Sequence, residues 1–235
     1  ACGVHGMTAI TAITAQNTVG VSDVHSVPPA TIIAQVRAVT SDIGVDAVKI
    51  GMLGTISTIE AVASALDELP DRTPVVLDPV MVAESGAELL EPSARAALRE
   101  LVLPRATVVT PNLPEARALA GLEEGIGAGE LARAVHALGP SVVVVTGGHL
   151  EQPIDVFYDG TRIVEIPGEL YPTGAAHGSG CTHSSVLAAQ LAWGDEPLAA
   201  ARRAKEMAAR AVRDGLTEIG AGPGPVDVLG IADRR

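Results

Sequence analysis

The sequence predicts an α/β fold, a three-layer αβα sandwich built around a central, mostly parallel sheet. Short apolar segments alternate along the chain with longer segments of helical periodicity, which is the pattern of a parallel sheet covered by helices on both faces. The 235 residues are enough for one large core, and no linker, low-complexity run or internal repeat divides them. We therefore expect residues 1–235 to form a single domain.

The predicted strands are short and rich in β-branched residues. The first covers 7–14, where Thr and Ile recur, and a hairpin over 155–167 is predicted from its Asp159-Gly160 turn. The remaining predicted strands cover 47–53, 74–80, 106–112 and 141–148. Because ligands of such sheets bind beyond the carboxyl ends of the strands, functional residues are expected directly after them.

The predicted helices lie between these strands and at the end of the chain. One over 26–44 contains early prolines and closes with a glycine, and one over 55–69 has a hydroxyl residue as its N-cap. The remaining predicted helices cover roughly 91–103, 113–120, 129–138, 180–193 and 197–216.

Charge and cysteine content exclude several classes of function. The net charge is -12, and an acidic surface argues against nucleic acid and anionic membranes as partners. No apolar run approaches the ~18 residues of a membrane span. Two cysteines, Cys2 and Cys181, are too few for a disulfide framework, which indicates a reducing cytoplasm.

The stretch "HGSGC", residues 177–181, directly precedes a predicted helix. Its glycines allow tight turns, and the unpaired amides at a helix start favour an anion, typically a phosphate. Cys181 at the helix start is expected to have a lowered pKa, which would suit a base or a nucleophile. The alternative is a glycine-rich turn with a small buried cysteine.

Two carboxylates also follow predicted strands. Asp78 in "DPV" and Glu115 in "NLPE" could together hold Mg²⁺, directly or through water. The alternative is a helix-capping Asp and a Glu in the first turn of a helix. As a set near one sheet edge with an anion-binding loop, they favour phosphoryl transfer.

An ordered set of motifs gives the sequence a specific resemblance. The motifs are "TAITAQNTVGV", "KIGMLG", "VVLDPVMVAESGAELLEP", "ATVVTPNLPEA", "TGGHL", "DVFYDG" and "HGSGCT". Over nearly its whole length the chain resembles the hydroxymethylpyrimidine/phosphomethylpyrimidine kinases of thiamine biosynthesis, which have the ribokinase-like fold. The resemblance implies ATP-dependent phosphorylation of 4-amino-5-hydroxymethyl-2-methylpyrimidine and of its monophosphate, with Mg²⁺, in a homodimer.

The resemblance also implies roles for the glycine-rich stretch. Cys181 would be the catalytic base toward the substrate hydroxyl, at a position where most sugar kinases of this fold carry Asp. Gly178, Ser179 and Gly180, with the Cys181 backbone, would form the anion hole.

Further roles implied by the resemblance concern the two substrates. Asn112 and Glu115 would organise the Mg²⁺-ATP phosphates, with Asp78 nearby. On the pyrimidine side, Gln16 would hydrogen-bond the aminopyrimidine, which an amide can do through one donor and one acceptor. Met52 and Val80 would supply the apolar walls of that pocket; without the resemblance, Met52 reads as a core residue and Gln16 as a polar residue at a strand end.

The sequence departs from the family pattern in two places. The strand and glycine-rich turn that usually open the family are absent, so we expect such a segment before residue 1. Thr146 stands where the family often has Lys, in a nucleotide-binding segment that includes Gly148. Lys205 could supply the missing positive charge, and the alternative for Lys205 is a solvated helix face.

Two other functions remain open at this point. A pyridoxal kinase of the same fold is the nearest rival, because both substrates are flat heterocycles with a hydroxymethyl group. A non-catalytic pyrimidine-binding protein is the rival from another class.

Overall fold

The β-structure consists of a central sheet and a smaller, separate one. The structure, a computed structural model, describes residues 1–83, 86–147, 153–172 and 175–232. The smaller sheet is antiparallel and contains β1 (Ala12–Asn17) and β2 (Gly20–Ser26). The strands of the central sheet, in their order across it, are β3 (Val48–Ile50), β4 (Val75–Leu77), β5 (Val108–Val109), β6 (Val142–Val145), β7 (Asp155–Tyr158) and β8 (Ile163–Ile166).

Strands β3 to β6 run parallel, and β7 and β8 complete the sheet in antiparallel orientation. Val48 lies opposite Val75 in the parallel part, whereas Val143 lies opposite Tyr158 in the antiparallel part. The predicted, mostly parallel sheet is confirmed, and so is the hairpin about Asp159-Gly160.

Helices cover both faces of the central sheet. Alternate residues of each strand point to opposite faces, so Val143 packs in one apolar core and Val144 in the other. The first core contains residues from α1 to α5, and the second contains residues from α6 and α7. None of the described helices has both the length and the apolar content to span a membrane. The helices are α1 (Pro29–Asp42), α2 (Ile56–Leu66), α3 (Ala94–Ala97), α4 (Leu113–Ala120), α5 (Ala128–His136), α6 (Ser179–Ala192) and α7 (Pro197–Arg213).

The first predicted strand is the main error in the sequence-based topology. It was expected in the central sheet over 7–14, but β1 starts at Ala12 and pairs only with β2, which was not predicted. The Asn17 side chain causes the reversal, because its Oδ1 accepts hydrogen bonds from the amides of Val19 (3.0 Å) and Gly20 (3.1 Å). Gln16 therefore lies inside a hairpin rather than after a sheet strand.

The predicted helix over 91–103 is helical but irregular. Helix α3 continues into a π-helical turn at Leu98–Val102 and a 3₁₀ turn at Leu103–Arg105. Pro104 lies in that last turn, and proline cannot donate the backbone hydrogen bond that would continue a regular helix.

The carboxyl ends of the parallel strands meet at one edge of the sheet. Strand-like hydrogen bonds continue past the strands there, from the amide of Asp78 to the carbonyl of Ile50 (2.8 Å) and from that of Thr146 to Pro111 (2.8 Å). The loops that begin at this edge are thus held by the sheet, and they carry most of the residues singled out from the sequence.

Candidate active site

The first turn of α6 forms a cradle of backbone amides. Gly178 is the N-cap and has a left-handed backbone with φ of 87°, which glycine adopts without strain. The amide of Ser179 donates to Ala176 (3.0 Å) and that of Thr182 donates to Gly178 (2.9 Å). Between them lie the amides of Gly180 and Cys181, at helix positions that have no intrahelical partner and suit an anion.

The cradle is tied to the β1–β2 hairpin by a C-terminal segment. The amide of His177 donates to Gly224 (3.2 Å), and the amide of Val226 donates back to His177 (3.1 Å). Nearby, the amide of Gly222 donates to Oγ1 of Thr18 (3.2 Å), in the turn of the hairpin. The hairpin that carries Gln16 is therefore connected to the loop that precedes Cys181.

Asp78 is hydrogen-bonded to α6, the helix that carries Cys181, through a serine. Oγ of Ser184, one turn after Cys181, donates to Oδ2 of Asp78 over 2.9 Å. The ammonium of Lys49 lies 3.4 Å from the same oxygen. Asp78 itself is buried. Contacts from β3 and from α6 thus meet at one buried carboxylate.

Asn112 and Glu115 form a reciprocal capping box at the start of α4. Oδ1 of Asn112 accepts from the amide of Glu115 (2.9 Å), and Oε2 of Glu115 accepts from the amide of Asn112 (3.0 Å). Oε1 of Glu115 accepts from the amide of Met81 (3.3 Å), in the loop that carries Asp78. The first-turn Glu considered from the sequence is thus present, and it also brings the carboxylate of Glu115 to the loop after β4.

The two carboxylates fit a Mg²⁺ ion that is completed by other oxygens. Asp78 and Glu115 are both buried at the same sheet edge, and carboxylate oxygens are ligands that Mg²⁺ prefers. Within the four described ranges, no group of three or more His, Cys, Asp or Glu side chains could hold a metal ion. Such a site suits Mg²⁺, which commonly uses one or two carboxylates together with phosphate oxygens and water.

Two of the three residues implied for pyrimidine binding lie at the carboxyl edge of the sheet, and the third lies in the β1–β2 hairpin. Met52 and Val80 follow β3 and β4 and are half-buried. Oγ1 of Thr11 donates to the carbonyl of Met52 (2.9 Å), which holds the segment before the hairpin against this edge. Gln16 is exposed and lies at a β-bulge between Ala15 and Gln16, a feature that redirects a side chain.

The residues implied for nucleotide binding have different surroundings. Thr146 pairs with Asn112 through an isolated parallel bridge at the end of β6. Gly148 lies outside the described residues. Lys205 is buried, with its Nζ 2.6 Å from Oδ1 of Asp155, so the solvated helix face considered for it is wrong. The reason is that Asp155, at the start of β7, supplies a buried partner for the ammonium.

The sequence matches the family model described as phosphomethylpyrimidine kinase over residues 1–227. The chain belongs to this family. It is 46% identical over 233 residues to the hydroxymethylpyrimidine/phosphomethylpyrimidine kinase of Rhizobium meliloti, covering 96% of this chain and 86% of that protein. It is also 43% identical to the thiamine biosynthesis bifunctional protein ThiED of Geobacter sulfurreducens, covering 99% of this chain but only 48% of that longer protein, so the chain spans about half of it.

The phosphomethylpyrimidine kinase fold is shared with a solved pyridoxal kinase. The ADP complex of the Bacillus subtilis pyridoxal kinase superimposes with a TM-score of 0.86 at 38% identity, covering 98% of this chain and 89% of that one. The resemblance drawn from the motifs and the ribokinase-like fold are therefore confirmed.

The prediction that the helix start lowers the pKa of Cys181 is wrong. Although Cys181 has an exposed surface, the protein atoms around the thiol desolvate its anion and raise its pKa. The Lys49 ammonium lowers that pKa, but the charges of Asp78 and Glu115 raise it further. The helix-start argument is local, whereas burial and the two carboxylates depend on the tertiary fold, and these dominate.

Four polar residues of the site were missed from the sequence. Lys49 is the clearest, because it is a single cation within the apolar segment "AVKIGML", which is unusual for a buried strand. Ser184 and His183 follow Cys181 within one helical turn, and Asp155 opens the hairpin of β7 and β8. Their positions beside recognised motifs could have drawn attention to them, but the residues that they contact are distant in sequence.

Proposed function

We propose that this chain transfers the γ-phosphoryl group of ATP to 4-amino-5-hydroxymethyl-2-methylpyrimidine and then to the monophosphate of that pyrimidine. The observation that supports this best is the meeting of Cys181, the amide cradle of α6 and the Lys49–Asp78 pair at one sheet edge. A second support is membership in the phosphomethylpyrimidine kinase family. We also propose that residues 1–235 act as a single catalytic domain.

In this proposal Cys181 is the general base. The substrate hydroxyl oxygen attacks the γ-phosphorus, its proton passes to the Cys181 thiolate, and the bond to the β–γ bridging oxygen breaks to release ADP. Lys49 favours the thiolate, since its charge lowers the pKa of Cys181 against the effect of burial. The cradle of Gly178, Ser179 and Gly180, with the Cys181 amide, stabilises the charge on the transferred group.

The nucleotide phosphates are assigned to the opposite side of the same edge. Asn112, Thr146 and Gly148 are proposed to contact the nucleotide, and Asn112 and Thr146 are adjacent in the fold. Lys205, which the sequence suggested as a further nucleotide contact, is enclosed with Asp155 and is proposed to act through that carboxylate instead. Asp78 and Glu115 are proposed to hold Mg²⁺, which when bound would neutralise phosphate charge and orient the leaving group.

The pyrimidine is assigned to Gln16, Met52 and Val80. The amide of Gln16 would pair with the aminopyrimidine edge, and the other two side chains would pack on the ring. The bulge at Gln16 and the Thr11–Met52 hydrogen bond support a pocket between the hairpin and the sheet edge.

The setting of the enzyme is part of the same proposal. We assign it to the cytoplasm, as a homodimer without nucleic acid or membrane partners, because its net charge is -12 and both Cys2 and Cys181 are free thiols. Size-exclusion chromatography with light scattering tests the dimer.

Pyridoxal kinase activity is the second candidate. The observation that favours it is the likeness to the Bacillus subtilis pyridoxal kinase, with its TM-score of 0.86 at 38% identity. A non-catalytic pyrimidine-binding protein is the third, and it would bind the pyrimidine without forming product.

A product assay with ATP and each heterocycle separates these functions. We expect phosphorylated pyrimidine at the higher rate, and Cys181→Ala should lose about 10²–10⁴-fold in turnover, the usual contribution of a general base. Cys2→Ala is the matched control, because Cys2 lies against Met207 on another part of the chain. Faster turnover of pyridoxal, or binding without product, would replace the main proposal, and near wild-type turnover of Cys181→Ala would remove its role as base.

A further inference from the structure

A buried ionic cluster lies behind the candidate active site. It contains Asp155 of β7, His183 of α6 and Lys205 of α7, whose exposed fractions are 1%, 5% and 8%. Three separate elements thus contribute an ionisable side chain to one enclosed place. Burial of such groups is costly unless they are paired, so their meeting requires an explanation.

Asp155 is the centre of this cluster. Its Oδ1 accepts from Nζ of Lys205 (2.6 Å) and from the amide of Gly147 (2.9 Å). Its Oδ2 lies 3.3 Å from Nε2 of His183. Burial alone would raise the pKa of Asp155, but His183 and Lys205 outweigh it and hold that pKa below its usual value, so the carboxylate is charged.

The contacts of Asp155 reach both sides of the proposed phosphate site. Gly147 directly follows Thr146 at the end of β6, beside Asn112. His183 is two residues beyond Cys181 in the first turns of α6. One carboxylate therefore contacts the sheet end assigned to the nucleotide and the helix assigned to the base.

The surroundings of the cluster leave little room for adjustment. A Cβ on Gly147 would collide with the carbonyl oxygen of Ile154, and a Cβ on Gly168 would collide with Cε of Lys205. Neither ring nitrogen of His183 makes a hydrogen bond of good geometry within the described residues, and its Nε2 faces Oδ2 of Asp155. Asp155 thus contacts the end of β6 and approaches α6 in a closely packed place.

We propose that Asp155 is a positioning residue that fixes the spacing between the Gly147 end of β6 and the first turn of α6, with Lys205 as its charge partner. This inference rests on the proposed kinase function, in which the phosphoryl donor lies at the Gly147 end of β6. The base for the acceptor hydroxyl lies in the first turn of α6. Phosphoryl transfer depends mainly on positioning and charge, and small misplacements of the reacting groups cost large factors in rate.

The decisive variant is the double substitution Asp155→Leu/Lys205→Met, which removes both buried charges together. Apolar replacement of a buried ion pair is often neutral for stability, so the variant is expected to fold with a Tm near that of the wild type. Calorimetric titration with ADP and with the pyrimidine, beside steady-state kinetics, then reports on position alone. Asp155→Asn is the second variant, which keeps the size of the side chain, and Asp195→Asn, at a surface pair with Arg203, is the matched control.

We expect the double variant to bind ADP about tenfold more weakly and to lose at least about tenfold in kcat, with unchanged pyrimidine affinity. Asp155→Asn should show the same pattern, and Asp195→Asn should behave as the wild type. Wild-type ADP affinity and kcat in the double variant would overturn the proposal, because Asp155 would then only neutralise Lys205. Equal losses for ADP and pyrimidine would overturn it too. Absence of turnover in the wild type would instead contradict the proposed function.

Discussion

The two lysines of the sequence each pair with an aspartate at the central sheet, but the two pairs differ in closeness and exposure. Lys205 lies 2.6 Å from Asp155, and the side chains are 10% and 1% exposed. Lys49 lies 3.4 Å from Asp78, and the side chains are 20% and 9% exposed. The first pair is sealed within the protein, whereas the second opens toward the cradle of α6.

Adjacent residues of one helix, α6, contact the two pairs. His183 contacts Asp155 and Ser184 donates to Asp78, so consecutive side chains of α6 reach the sealed pair and the open pair. The orientation of the helix that carries Cys181 therefore depends on both pairs at once. The two pairs differ in what else they affect: Asp155 of the sealed pair also holds the amide of Gly147, whereas the charges of the open pair act on the pKa of the Cys181 thiol.

The largest expected effect comes from breaking the sealed pair on one side. Lys205→Met leaves the Asp155 carboxylate buried without its ammonium, and removing one partner of a buried pair costs about 3–5 kcal/mol. The free energy of unfolding, measured by denaturant titration, should fall by that amount.

Arg202→Met is the control for Lys205→Met, because Arg202 is an exposed cation on the same helix, α7. It should change stability by less than about 0.5 kcal/mol. A Lys205→Met protein as stable as the control would show that the buried carboxylate of Asp155 does not need the Lys205 ammonium. The sealed pair would then not differ from the open pair in its contribution to stability.

Breaking the open pair should affect turnover rather than stability. Lys49→Met removes the positive charge nearest to Asp78 and the thiol of Cys181, and we expect kcat to fall about 10- to 100-fold, in the range found for single electrostatic groups in active sites. Steady-state kinetics beside thermal unfolding separates the two effects.

Lys49→Arg and Arg37→Met serve as the comparisons for Lys49→Met. A Cβ on Gly51 would lie 2.8 Å from Nζ of Lys49, so the space is tight and a larger guanidinium should restore activity only in part. Arg37 forms an exposed pair with Glu68, and its loss should leave turnover unchanged. A large loss of stability in Lys49→Met with unchanged kcat would reverse the assignment of the two pairs.

The surroundings of Asp78 in the open pair could be predicted from the sequence, whereas the pairing of Asp155 with Lys205 in the sealed pair could not. Alternating apolar and amphipathic segments predict the α/β sandwich, because strand and helix periodicities are local properties. The glycines before Cys181 and the N-x-x-E spacing of Asn112 and Glu115 are also local, and the structure brings both to one sheet edge. Partners such as Asp155 and Lys205 are 50 residues apart, and no local rule links them.

The errors have the same physical origin. The Thr- and Ile-rich start of the chain predicts a strand correctly in kind, but strand propensity does not say which sheet a strand joins. The pKa of Cys181 was expected to fall because of the helix start, yet burial and the distant carboxylates of Asp78 and Glu115 raise it. In each case a tertiary contact outweighs a local rule.

The smallest expected effect is a shift in the titration of Cys181, and it tests the open pair directly. Because the pKa of Cys181 is raised, first by burial, the thiolate fraction at neutral pH is small and grows as pH rises, so alkylation should speed up with a midpoint above that of a free thiol. Asp78→Asn removes a charge that raises the pKa, so its midpoint should lie lower than in the wild type, whereas Lys49→Met should move the midpoint higher. Arg202→Met should leave it unchanged. Mass-spectrometric mapping of alkylation against pH gives the four curves, and a shift of the same sign in Asp78→Asn and Lys49→Met would contradict the opposing charges of the open pair.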